Sequence, residues 1–116
     1  MTRSSGILLP VSALPGPCGI GDLGTAAREF IDFLAAAGQR YWQILPLNPP
    51  DSARSPYLSA STFAGSTDLL SPEPFMARGA LTLDEVRSVD WGGDPMRVDY
   101  GRVHAGKTAL WAAAFA

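Results

Sequence analysis

Residues 40–65, RYWQILPLNPPDSARSPYLSASTFAG, run an apolar stretch straight into a long polar loop. Tyr41, Trp42, Ile44 and Leu45 form a short aromatic and branched run of the kind that fills a buried strand. Pro46, Pro49 and Pro50 then forbid helix continuation and central-strand pairing, because each lacks an N–H and fixes φ. A strand over about 40–45 therefore ends near Leu45, and residues 46–65 form a loop. Within the loop, Ser55-Pro56-Tyr57 places an aromatic ring beside a stiff neighbour among several hydroxyls. Two readings stand for that triplet. One is an ordinary surface turn, for which Ser-Pro is a common start; the other is a ring face and hydroxyls that meet a sugar.

Upstream, Ser5 to Leu9 (SGILL) is a short apolar run closed by Pro10, which predicts a strand over about 5–9. The loop from Val11 to Gly24 follows, rich in Pro and Gly. Ala27, Phe30, Ile31 and Leu34 then recur at i, i+3, i+4 and i+7, the spacing of one helical face. Thr25 or Asp22 can cap the start and Gly38 sits where a left-handed stop belongs, so a helix is predicted over about 25–37. Strand, helix and strand with short connections give an α/β class with parallel pairing through a right-handed crossover. In such an architecture the loops leaving the C-terminal ends of the strands line the ligand crevice. Residues 10–24 and 46–65 are two such loops and should lie side by side, which favours binding roles for Ser55 and Tyr57.

Downstream, Pro72 and Pro74 break residues 66–81 into short helical turns. Thr82-Leu83-Asp84-Glu85 has a hydroxyl followed three residues later by a carboxylate, a reciprocal cap that predicts a brief helix over about 83–88. Val103, Lys107, Leu110, Trp111 and Ala114 share one helical face, with the Lys107 stem laid along apolar surface, so residues 99–115 read as a helix. No third strand pattern follows residue 45, and a two-stranded parallel sheet cannot cover its own edges. The expectation is that the chain is a truncated portion of a larger fold.

The totals narrow the classes. With 116 residues, 47% of them apolar and 17% charged, the composition is globular and allows one small domain or part of one. A formal charge of −2 gives no basic field for nucleic acid, and no apolar run approaches the roughly 18 residues a membrane helix requires. A single cysteine excludes an internal disulfide framework, and the N-terminus lacks the layout of a secretory signal. Cytoplasm is the expected compartment, without membrane or nucleic-acid partners.

Two phosphate-loop patterns compete with a carbohydrate role. Gly19, Gly21 and Gly24 form G-x-G-x-x-G between a strand and a helix, but residues 10–18 separate them from the strand end, and no acidic residue ends the second strand to hold a ribose. Residues 101–108, GRVHAGKT, satisfy G-x-x-x-x-G-K-[ST] letter for letter, which makes a nucleotide-binding module the main alternative. Against it, the preceding Met96–Tyr100 is too polar for the buried strand such a loop needs, and residues 109–116 leave no place for a metal-holding aspartate. His104 has no second histidine or cysteine at ligand spacing, so no metal site is expected, and a solvent-facing helical position suits it. Cys18 reads as a small filler rather than a nucleophile. The carboxylates of Asp32, Asp84 and Glu85 are explained by solvation or capping, and no catalytic couple is evident.

At S-G-I-L-L-P (5–10), L-P-G-P (14–17), G-I-G-D-L-G (19–24) and D-F-L-A-A-A-G-Q-R-Y-W-Q-I-L-P-L (32–47) the chain resembles the N-terminus of the 4-α-glucanotransferases, also called amylomaltases or disproportionating enzymes, of glycoside hydrolase family 77. The likeness continues through S-P-Y (55–57) and S-x-F-A-G (61–65), and weakly through V-D-Y-x-x-V-x-x-x-K (98–107). The resemblance implies the N-terminal portion of a (β/α)8 TIM barrel, incomplete, with a helical insertion after the second strand, residues 1–116 forming one part of the catalytic barrel. It implies a retaining transfer of one α-1,4-glucan segment to another glucose 4-hydroxyl, with maltooligosaccharides as partners and no cofactor. Ser55 and Tyr57 carry over as substrate-binding residues. The carboxylate nucleophile and acid, about 5 Å apart in a retaining enzyme, belong to later strands, so no catalytic residue is assigned here. Asn48, Asp51–Arg54, Leu58, Ser66-Thr67 and Cys18 depart from the family's usual letters. A further alternative is a non-catalytic fragment that binds carbohydrate through Tyr57.

Overall fold

The computed structural model describes residues 3–116. Strand β1 (Gly6–Leu8) pairs in parallel with β2 (Tyr41–Gln43), in the register Gly6↔Tyr41, Ile7↔Trp42 and Leu8↔Gln43. The ladder reaches past both ends: Arg40 N–H donates to the Ser5 carbonyl (2.9 Å) and Leu9 N–H to that of Gln43 (3.0 Å). Pro10 ends it on one side. On the other, the strand stops at Gln43, two residues before the predicted Leu45. Both strands are more open than a buried pattern predicts, with Ile7, Leu8 and Tyr41 exposed, because among the described residues no third strand flanks this two-stranded sheet.

Helix α1 (Thr25–Ala36) crosses between the strands and Gly38, at φ 74°, provides the left-handed stop the sequence calls for. Ala27 and Leu34 are buried as the apolar stripe predicts, whereas Ile31 stays half-exposed. Phe30 meets Trp42 edge-on at 5.1 Å, and the Trp42 indole N–H donates to the Leu9 carbonyl at 2.8 Å, which ties helix, strand and the start of the first loop together. Gly24 is the N-cap, not Thr25 or Asp22, and it has no side chain to cap with. Two carboxylates supply what it lacks. Asp22 Oδ1 accepts from Gly24 N–H (3.0 Å), and Glu73 Oε2 accepts from Thr25 N–H (2.9 Å).

The remaining helices are short until the last: α2 (Glu73–Ala77), α3 (Leu83–Ser88) and α4 (Tyr100–Ala114), with single 3-10 turns at Val11–Ala13 and Thr67–Leu69. The reciprocal cap of α3 forms as its residues predict: Thr82 Oγ1 accepts from Glu85 N–H and Glu85 Oε2 from Thr82 N–H. Asp99 caps α4 by accepting from Arg102 N–H at 3.1 Å. The core lies away from the sheet. Cys18, Leu81, Val86, Leu110 and Trp111 form its buried centre, with Phe75, Met76, Val89 and Trp91 packed around them. The first loop folds back so closely that a Cβ on Gly21 would stand 2.1 Å from the Val11 carbonyl oxygen. Glycine is required there by contact.

Candidate functional site

The loops after β1 and β2 do lie side by side. Pro10, Val11, Ser12 and Ile20 from the first and Leu45–Asn48, Pro50, Arg54 and Pro56 from the second line one cavity of about 230 Å³. Ser66, Asp68, Leu69 and Tyr100 close its far side. The second loop is shaped by its own bonds. Ser66 N–H donates to the Leu47 carbonyl at 2.7 Å, and Asn48 Nδ2 donates to the carbonyls of Ser61 (2.9 Å) and Thr62 (2.6 Å), so its two arms are clamped at the base. Toward the tip, Asp51 N–H donates to the Leu58 carbonyl (2.9 Å), Arg54 N–H to that of Asp51 (3.0 Å) and Leu58 N–H to that of Ser55 (3.2 Å).

Ser55 and Tyr57 sit on this tip but outside the cavity wall, which their neighbours Arg54 and Pro56 form. Ser55 is half-buried, and its Oγ accepts from Tyr57 N–H at 3.3 Å, an arrangement that also suits a plain turn. Tyr57 is 72% exposed, so its ring is free to meet a ligand at the rim. Sequence reasoning missed Arg54, Tyr100, Asp68 and Asn48. Asn48 and Arg54 stood out only as departures from the family's usual letters, and Tyr100 only as part of the weak V-D-Y likeness.

Asp68 is the carboxylate that lines the cavity, and it is already engaged: His104 Nδ1 lies 3.0 Å from its Oδ1 and 3.2 Å from its Oδ2. His104 is thus exposed but not idle, as a bare solvent-facing position would be. No second carboxylate joins Asp68 on the cavity wall, and no group of three or more His, Cys, Asp or Glu suited to a metal ion occurs among the described residues. A carboxylate couple for glycosyl transfer is not assembled here.

Both phosphate patterns are consumed by packing. GRVHAGKT lies wholly inside α4, so it makes no loop. Gly106 faces Val89 and Trp91, whose atoms would stand 2.5 and 2.6 Å from an added Cβ. Lys107 is fully buried: Nζ lies 3.4 Å from Asp22 Oδ2, donates to the Leu70 carbonyl and stands 5.5 Å from the centre of the Trp111 ring. A lysine so held cannot reach a phosphate. In the G-x-G-x-x-G loop, the N–H groups of Gly24 and Thr25 are occupied by Asp22 and Glu73, whose charge would repel a pyrophosphate. Burial pushes the Asp22 carboxyl above its ordinary value, against the opposing pull of Lys107. Burial likewise pushes the Cys18 thiol up to about 11, which makes it a filler and not a nucleophile.

The family model for 4-alpha-glucanotransferase matches residues 9–116. The chain belongs to the 4-alpha-glucanotransferase family. It is 42% identical over 108 residues to the 4-alpha-glucanotransferase of Streptococcus pneumoniae, a match covering 93% of this chain and 21% of that protein. With the 4-alpha-glucanotransferase of Thermus thermophilus it shares 46% identity over 107 residues, 92% of this chain and 20% of the relative. Amylomaltase from Streptococcus agalactiae, solved in complex with acarbose, superimposes with a TM-score of 0.94 at 36% identity, covering 98% of this chain and 23% of that one. The chain therefore spans about a fifth of the length of the 4-alpha-glucanotransferases it matches. Within that span it is an α/β unit with the relatives' fold. No helix of the described residues is long and apolar enough to cross a membrane.

Proposed function

We propose that the full-length gene product is a 4-alpha-glucanotransferase, moving a segment of an α-1,4-glucan to a new glucose 4-hydroxyl with retention, and that this chain supplies binding loops. The observation that carries this is the cavity between the loops at the C-terminal ends of β1 and β2, in a unit that superimposes at 0.94 on an amylomaltase in complex with acarbose. On this proposal β1 and β2 open a (β/α)8 barrel, residues 66–116 are its helical insertion, and the exposed faces of Ile7, Leu8 and Tyr41 pack against further strands. Burying those faces removes apolar surface from water, the term that favours closure.

The roles follow from exposure. Tyr57 offers an open ring for stacking on a pyranose, and Ser55, beside it, offers a hydroxyl. Both position maltooligosaccharide, while the nucleophile and acid, about 5 Å apart in a retaining enzyme, stand elsewhere in the protein. Such chemistry needs no cofactor. Cytoplasm is the proposed compartment, supported by the single cysteine. Neither a membrane nor a nucleic acid is a proposed partner, since the net charge of −2 gives no attraction to phosphate.

Maltotriose tests the assignment. The full-length product should release glucose while building longer maltooligosaccharides, and Tyr57→Ala should raise KM for maltotriose. Glucose release without longer products, or no reaction, refutes it.

A further inference from the structure

The tip of the second loop keeps one residue in a conformation that its side chain disfavours. Arg54 has φ 58°, the left-handed region that a Cβ makes costly and that glycine enters freely. Among the described residues, the backbone hydrogen bonds made by residues 53–57 close within the segment 51–58, so the tip is a ring bonded to itself. Its side-chain tether points elsewhere. The Arg54 guanidinium lies over the Tyr100 ring, 5.5 Å from its centre, at the first residue of α4. Both residues also form part of the cavity wall.

We propose that Arg54 is a positioning residue whose stack on Tyr100 holds the 51–58 tip, and with it Ser55 and Tyr57, in place before a maltooligosaccharide arrives. The proposal rests on the binding roles given above to Ser55 and Tyr57. An untethered tip would have to be ordered by the ligand, and that ordering is subtracted from affinity. The left-handed backbone fits this account. A glycine at position 54 would relax the turn and lose the tether, so the arginine is kept in a strained place for what its side chain does.

Steady-state kinetics of the full-length enzyme on maltotriose, with thermal midpoints for each variant, provide the test. Arg54→Gly should raise KM about two- to fivefold, the fold-change a partly exposed cation–π contact corresponds to, with the change falling on KM rather than kcat. Its thermal midpoint should hold or rise, since the backbone strain is relieved. A residue serving stability alone would lower the midpoint and leave KM unchanged. Arg54→Lys should recover part of the KM and Tyr100→Phe most of it, whereas Tyr100→Leu should match Arg54→Gly. Arg54→Gly combined with Tyr100→Leu should be no worse than either alone. An unchanged KM in Arg54→Gly, or effects that multiply in the double variant, overturns the proposal. If Tyr57→Ala raises KM while Arg54→Gly does not, only the tether fails. If Tyr57→Ala leaves KM unchanged, the binding role of the loop falls, and the tether with it.

Discussion

Replacing Lys107 by methionine probes a contact between residues 85 positions apart in this chain. Lys107 Nζ reaches Asp22 in the first loop and the Leu70 carbonyl before α2, and it does so from the middle of α4, fully out of water. Asp22 is itself 3% exposed. Methionine preserves the unbranched stem but leaves the Asp22 charge without its partner, and breaking a buried pair from one side costs about 3–5 kcal/mol. The loss depends on pH in a definite direction. Burial already holds the Asp22 carboxyl above its ordinary value, and the charge of Lys107 and its hydrogen bond are the chief forces pulling it back. Without Lys107 it moves further up. A carboxyl whose folded-state pKa lies above its unfolded value gives stability that is full at pH below the unfolded value and lost as pH rises through the folded one. The deficit of Lys107→Met should therefore be larger at neutral pH than in acid, shrinking as the pH falls through the raised pKa and Asp22 takes a proton. Urea unfolding of the full-length protein at several pH values, followed by tryptophan fluorescence, reads this directly. Adding Asp22→Asn, which removes the charge yet keeps an acceptor for Gly24 N–H, should restore most of the stability. A loss under about 1 kcal/mol at pH 7, or one that stays constant down to pH 4, would show that no buried charge was left behind.

Two further outcomes test local features. Thr82→Ala should cost about 1 kcal/mol through loss of the helix cap. Hydrogen bonds from the Thr82 backbone and then its hydroxyl hold the Glu85 carboxyl below its ordinary value, so its contribution is present above the usual glutamate range and lost on acidification. The stability gap between the native protein and Glu85→Gln should thus be flat near neutrality and close at acidic pH in urea titrations. For Cys18, whose thiol burial raises to about 11, peptide mapping after iodoacetamide at pH 8 should find it unmodified in the folded protein and alkylated in urea. Labelling of the folded protein would contradict the packing around it.

What the sequence disclosed and what it withheld divide along the range of the interactions. The end of β1 at Pro10, the stop of α1 at Gly38, the Thr82–Glu85 box and the buried face of α4 each depend on neighbours within a turn, and their residues announced them. The two loops that share the cavity were also foreseen, because parallel pairing dictates where strand ends point. Only half of the cap of α1 could be read locally: Asp22 accepts from Gly24 N–H two residues away, whereas Thr25 N–H is satisfied by Glu73, 48 residues further along. Strand burial was overestimated because an apolar run states a preference, while its neighbours decide whether that preference is met. The left-handed Arg54 gave no signal, since a non-glycine residue at positive φ is revealed only by the turn around it.

GRVHAGKT is the sharpest instance, because the pattern fits a phosphate loop letter for letter and means something else. The deciding residue lies just before it. Asp99 caps a helix at Tyr100, and once that cap forms, Gly101 and Gly106 become helical positions and the backbone N–H groups that would cradle phosphate are spent on helix bonds. Gly106 is then small because Val89 and Trp91 press against it, and Lys107 is a lysine because Asp22 is buried opposite. Glycine that admits a close neighbour and lysine that neutralises a carboxylate are the same letters as glycine that frees a loop and lysine that grips a phosphate. The backbone state set by the preceding cap separates the two uses.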